Sequence, residues 1–146
     1  MELIRIQPNI IVCSYNYFVS NINLIKNEII INTTTNLLTL RNLYNISKKD
    51  LKNTYNIINF IKYINKSQII IIKDSINNLA YKFLIIYFMI IYNLRLNMAV
   101  SHLQKIPNFN SYINNSLYIY EYILFDKYTN YSYGSNIPIP LDLDIE

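Results

Sequence analysis

Residues 69–94 read IIIIKDSINNLAYKFLIIYFMIIYNL, and this stretch decides how the chain folds. It opens on Ile69-Ile70-Ile71-Ile72, β-branched residues with no polar interruption. A strand with one wet face alternates, so an unbroken run predicts a strand covered on both faces. Lys73-Asp74-Ser75 ends the run, and Asp74 or Ser75 is placed to cap a helix. From there Ile76, Leu79, Ala80, Phe83, Leu84, Tyr87, Ile90, Ile91 and Leu94 hold helical spacing for about five turns. Ile85, Phe88 and Met89 make the second half apolar all round. Such a helix is expected to be central, covered by a sheet on one side and by a loop or a neighbouring subunit on the other. Its most apolar part, Phe83 to Tyr92, is ten residues long and lies between Lys82 and Arg95. A bilayer span needs about 20 apolar residues, so the run predicts a buried core helix and no membrane insertion.

Upstream, Ile29-Ile30-Ile31 predicts a strand that stops at Asn32 and the Thr33-Thr34-Thr35 loop. Ser47-Lys48-Lys49-Asp50 sets a hydroxyl three residues ahead of an acid, the pattern of a capping box. Leu51, Ile57, Ile58, Ile61 and Ile64 follow at helical spacing, which predicts a helix over 48–65. On one continuous helix, Lys48, Lys52, Asn59, Lys62 and Lys66 would fall within about 40° of a single line opposite the aliphatic face. Downstream, 107–115 has loop composition, and Leu117 to Phe125 (LYIYEYILF) alternates as a strand with Tyr118, Tyr120 and Tyr122 on one face. The acidic end, Leu141 to Glu146, is expected to form an edge strand or to hang free.

Composition bounds the function. Ile, Asn and Tyr make up almost half of the 146 residues, with one Gly, no Trp and two Ala. The favoured residues have AT-rich codons and the scarce ones GC-rich codons, which points to an AT-rich organellar genome. Met1-Glu2-Leu3-Ile4-Arg5 shows neither a signal peptide nor a transit peptide, so synthesis inside a mitochondrion is the expectation. Cys13 has no partner for a disulfide, and with His102 as the single histidine no zinc set can be assembled. Neither a nucleophile with its base, nor paired carboxylates, nor a glycine-rich phosphate loop is available, so no enzyme and no cofactor are expected. Ser101 beside His102 lacks an orienting acid, and alternating Asp142, Asp144 and Glu146 do not cluster enough oxygens for a cation.

Charge is distributed unevenly. Residues 41–105 carry ten Lys/Arg against Asp50 and Asp74, a net +8, while the remainder carries three bases against seven acids, a net −4. The basic middle suits a polyanion. Phosphate binding needs little beyond positive charges held at spacing, which makes Lys48, Lys49, Lys52, Lys62 and Lys66 the expected RNA contacts. The tyrosine face of 117–125 is a weaker candidate for base stacking, since tyrosine is common throughout this chain.

Asn114, Ser116, Ile119, Glu121, Tyr122 and Phe125 match, in register, the late motif of the bacterial-type large-subunit ribosomal protein five family, close to Gly-Asn-Tyr-Ser-Phe-Gly-Ile-Lys-Glu-Tyr-x-x-Phe. Asn108-Phe109-Asn110-Ser111-Tyr112 resembles the family's Asp-Phe-Arg-Gly-Leu, and Asp142-Leu143-Asp144-Ile145 resembles its closing Gly-Leu-Asp-Ile. Ile113 and Tyr118 stand where the motif has glycines. The resemblance implies ribosomal RNA binding near the central protuberance, with Asn32, Thr33, Asn114 and Ser116 in strand ends or loops close to RNA.

The expectation is one domain over residues 1–146, an α+β fold with a small, mostly antiparallel sheet and two main helices, one long and buried. Its expected role is as a structural constituent of the mitochondrial ribosome, binding large-subunit RNA. Its partners would be ribosomal RNA and neighbouring ribosomal proteins, on its own subunit or across the subunit interface, with no small-molecule substrate. The rival expectation is an accessory subunit of a respiratory-chain complex, with Phe83 to Tyr92 packed among membrane helices.

Overall fold

The computed structural model describes residues 3–74, 78–106, 109 and 115–127. Five strands form one sheet: β1 (Leu3–Gln7), β2 (Ile10–Ser14), β3 (Ile29–Asn32), β4 (Leu43–Asn45) and β5 (Ile69–Lys73), in the spatial order β1-β2-β5-β3-β4. The isoleucine run is therefore the middle strand. Ile69 and Ile71 face one layer of helices, Ile70 and Ile72 the other, and all four are buried. Burying each isoleucine contributes roughly 1.5–3 kcal/mol.

The helices are α1 (Tyr15–Ser20), α2 (Lys48–Lys52), α3 (Thr54–Tyr63), α4 (Leu79–Ile91), α5 (Leu96–Leu103) and α6 (Asn115–Glu121). A 3-10 turn at Ile22–Leu24 and a π turn at Tyr122–Asp126 complete the described elements. Phe18 of α1 packs on the face of Cys13, Ile30, Ile70 and Ile72. The opposite face, with Ile10, Val12, Ile31, Ile69 and Ile71, carries α3 and α4, and α5 and α6 close over α4. The domain is thus α+β.

Four features depart from the sequence expectation. The sheet is mixed rather than mostly antiparallel: β1 and β2 form an antiparallel hairpin, but β2–β5, β5–β3 and β3–β4 all pair parallel. Helical crossovers on both faces produce this, and they are what leaves β5 apolar throughout. The chain runs from β2 across β5 to β3 through α1, then back from β4 across β3 to β5 through α2 and α3. Crossovers of one handedness running in opposite directions must lie on opposite faces, as these do.

Second, the helix expected over 48–65 is two helices, broken at Asn53 (φ −87°, ψ 77°). Leu51 and Thr54 are both buried on either side of the break, so the kink turns α3 onto the sheet without exposing either. Third, Leu117 to Phe125 is not a strand. It forms α6 and the π turn, because large apolar residues at almost every position suit a helical period as well as an alternating one. The helix buries Leu117, Ile119, Tyr120 and Ile123 against α4 and α5, and leaves Tyr118 exposed. Fourth, α1 and α5 join the two main helices that periodicity gives, α3 and α4.

The expected burial of α4 holds, but helices of the same chain supply the cover expected from a loop or a neighbouring subunit. Every residue from Leu79 to Met89 except Lys82 is buried, and the cover comes from β5, α3, α5 and α6 of the same chain. Asn93, with φ 54°, ends the helix in the left-handed region that asparagine tolerates. Among the described residues no helix is long and apolar enough to cross a membrane. Asn114, the Ser75 cap, most of the 107–115 loop and the acidic tail lie outside the described residues.

Candidate nucleic-acid interface

The loop after β3 is built from asparagine and threonine side chains. Asn32 is 1% exposed and its side chain makes four hydrogen bonds. Its Nδ2 donates to the Asn36 carbonyl (2.8 Å) and to Asn45 Oδ1 (2.7 Å), while its Oδ1 accepts from the Thr34 amide (3.1 Å) and hydroxyl (2.8 Å). Asn45 in turn donates to the Leu38 carbonyl, 3.0 Å. Such Asx contacts fold the backbone tightly without needing glycine, which this chain almost lacks. Thr33 is equally internal, donating both its amide (3.0 Å) and its hydroxyl (2.7 Å) to the Ile72 carbonyl and so extending the β3–β5 pairing.

After β4 the chain enters α2 through a full capping box. The Asp50 amide donates to Ser47 Oγ (3.2 Å), and the Ser47 amide donates to Asp50 Oδ2 (2.7 Å). Asp50 is thereby turned back on the cap, and Lys48, Lys49 and Lys52 stand exposed around it. The buried Leu51 anchors this helix, and its carbonyl accepts from the Tyr120 hydroxyl of α6 at 2.6 Å. Burial pushes the Tyr120 phenol well above its ordinary range, so it remains a neutral donor.

Between these two segments and the start of α4 lies an open cleft of about 930 Å³, outside the carboxyl ends of β3 and β4. Open sheets with parallel strands place their ligand crevices at this edge. Lys48 comes from α2 and Lys82 from α4, with Thr34, Thr35 and Ser47 between them and Leu37, Ile46 and Leu79 as the apolar part. Lys82 is half-buried, and its pKa is lowered from the ordinary lysine value first by burial and second by the charge of Lys48.

The structure sorts the expected RNA contacts into groups. Lys48 and Thr33 line the cleft; Asn32 lies behind it as the residue that shapes the loop. Lys49 and Lys52 are neighbours of the cleft on α2. Lys62 is at the end of α3, and Lys66 precedes β5 with φ 72°, so both sit toward the amino-terminal edge of the parallel strands, opposite the cleft. The single lysine line becomes two patches because the break at Asn53 ends the common helical phase. None of the five lysines forms an ion pair with a described residue. Ser116 is half-buried in the first turn of α6, and Asn114 lies outside the described residues.

Two contributors escape sequence reasoning. Lys82 reads only as the charged flank of an apolar run, and Tyr120 as one tyrosine of a strand face. Lys82 had a legible signal, a lone cation inside a helix otherwise apolar on all sides. Tyr120 had none, since its role depends on a carbonyl 69 positions away. Among the described residues no group of three or more metal-ligating side chains occurs. Compared with protein-family models and with curated proteins, the sequence matches none.

Proposed function

We propose that this chain is a structural, non-catalytic protein of the mitochondrial ribosome that holds large-subunit ribosomal RNA through two lysine patches. The carrying observation is the set of five exposed lysines, none engaged by a carboxylate among the described residues, on a segment with a net charge of +8. Charges left uncompensated and fixed on helix surfaces suit phosphates, whose counterions are released on binding. Phosphate contacts from patches at opposite edges of one sheet would orient the domain on folded RNA and hold it to more than one strand. The family resemblance is a subordinate part of this reading, because its motif residues from Ser116 to Phe125 form α6 and the π turn here.

The respiratory-complex reading drew on the apolarity of Phe83 to Tyr92. That apolarity is accounted for within the chain, where α4 is enclosed by β5, α3, α5 and α6.

Two measurements test the proposal. In a sucrose gradient of detergent-solubilised mitochondria the protein should comigrate with large-subunit RNA and leave that fraction after ribonuclease treatment. With purified protein, replacing Lys49, Lys52, Lys62 and Lys66 by Gln should weaken RNA binding at least about tenfold at low salt and flatten the salt dependence by about three in log–log slope. Comigration with a respiratory complex, indifferent to ribonuclease, would overturn the reading.

A further inference from the structure

The cleft differs in kind from a lysine on an open helix face. Its volume, about 930 Å³, lies in the range of pockets that enclose small organic groups, and a phosphate alone needs far less. Its lining is divided: Leu37, Ile46 and Leu79 offer an apolar wall, while Lys48, Lys82 and Thr35 offer cations and a hydroxyl, and the one carboxylate among the described lining residues, Asp50, is engaged by the Ser47 amide and hydroxyl. Leu37 is 81% exposed although its loop is pinned by the Asn32–Asn45 network, so an aliphatic side chain is held out at the cleft rim rather than folded inward. Lys48 and Lys82, on separate elements, line the same cleft, and the charge of Lys82 is disfavoured first by burial and second by repulsion from Lys48. An anion between them would relieve that repulsion. A group with an anionic end and a flat, largely apolar body complements both halves of the lining.

We propose that this cleft receives one unpaired nucleotide of RNA, its phosphate between Lys48 and Lys82 and its base against Leu37, Ile46 and Leu79. The inference rests on the RNA-binding reading above and adds a substrate class to it. A paired base is stacked inside its helix and cannot enter a pocket, so the cleft would select loops, bulges or single strands, which is where proteins read RNA bases. Free nucleotides share the chemistry, but the lysines that flank the cleft on α2 favour a nucleotide with phosphates continuing on either side.

The test compares binding of the full chain to a single-stranded RNA oligonucleotide, to a perfectly paired RNA hairpin of equal charge, and to uridine and adenosine monophosphates. Lys82→Gln and Leu37→Ser are the variants. Both should fold, since the first removes a disfavoured charge from a half-buried side chain and the second changes an exposed one. The expected result is tighter binding to the single strand than to the hairpin. Each variant should lose at least about fivefold on the single strand and less than about twofold on the hairpin, with the monophosphates at least about a hundredfold weaker. Equal binding to single strand and hairpin, unchanged in both variants, would overturn the inference while leaving RNA binding standing. Monophosphates binding as tightly as the oligonucleotide would also overturn it, making the cleft a nucleotide site. Absence of binding to either RNA at low salt would sink the RNA reading itself.

Discussion

Asn32 shows how a residue's role depends on what surrounds it. The family resemblance implies a place near RNA for it, yet its side-chain amide spends one hydrogen and its oxygen on the loop that follows and the other hydrogen on Asn45 of β4. Replacing it with Ala would remove its side-chain hydrogen bonds to the Asn36 carbonyl, to the Thr34 amide and hydroxyl and to Asn45, bonds made from a buried residue to partly exposed partners and each worth about 1 kcal/mol. Asn32→Ala is therefore expected to cost about 2–4 kcal/mol in denaturant unfolding and to raise amide exchange at 34–38. An unchanged midpoint would mean that water replaces the network. That a strand ends at Asn32 and a loop begins at Thr33 was legible from the isoleucine run before them. That they face inward was not, because their partners Asn45 and Ile72 lie 13 and 39 positions away.

At the level of elements, α6 is the instructive case. LYIYEYILF satisfies a two-residue period and a helical one, and local sequence cannot choose between them. The choice is made by α4 and α5, which offer a helical groove and no strand edge. A consequence can be measured at Tyr120. On a strand it would share a face with Tyr118 and Tyr122, and loss of its hydroxyl would be nearly neutral. In α6 it is 1% exposed and donates to Leu51, so Tyr120→Phe leaves a buried carbonyl unsatisfied. The expected cost is about 1–3 kcal/mol, with increased exchange of α2 amides, since that bond ties α2 to the core. A change below about 0.5 kcal/mol would argue against this packing. The break at Asn53 is a similar decision: apolar spacing alone runs through it, and burial of both Leu51 and Thr54 bends it.

For the whole molecule, the buried titratable groups set a pH dependence. Cys13 is buried on the α1 side of the sheet, which pushes its thiol from 9.0 up to about 11. Burial likewise raises the phenols of Tyr120, Tyr81 and Tyr87 above the ordinary 10.0. Each group is kept neutral by the fold, so its contribution is complete below the unfolded pKa and is lost as pH climbs through the folded one. Stability should therefore hold to about pH 9, decline by at most about 2 kcal/mol through the thiol up to pH 11, and fall further above pH 10 as the phenols join. Lys82 acts in the opposite sense, because its lowered pKa means that deprotonation relieves a penalty as pH rises toward 10.5. Urea midpoints at pH 7, 9, 10 and 11 would test this, and Cys13→Ala should reduce the decline between 9 and 10, leaving the part due to the phenols. A midpoint that is flat to pH 11 in the parent protein would contradict the burial.

Sequence by itself determined the elements whose signal is local and redundant: the isoleucine strand at 69–72, the enclosed helix that follows it, the capping box at Ser47, and the concentration of positive charge between residues 41 and 105. Each depends on spacing or composition within one segment, where 3.6-residue and two-residue periods are distinct or where charge simply adds. Tertiary structure decided the rest. Parallel pairing, the helical state of 115–121, the inward turn of Asn32 and Thr33, and the meeting of Lys48 with Lys82 at one cleft all involve segments far apart in the chain. Their free energies come from burial and hydrogen bonds that exist only once those segments touch.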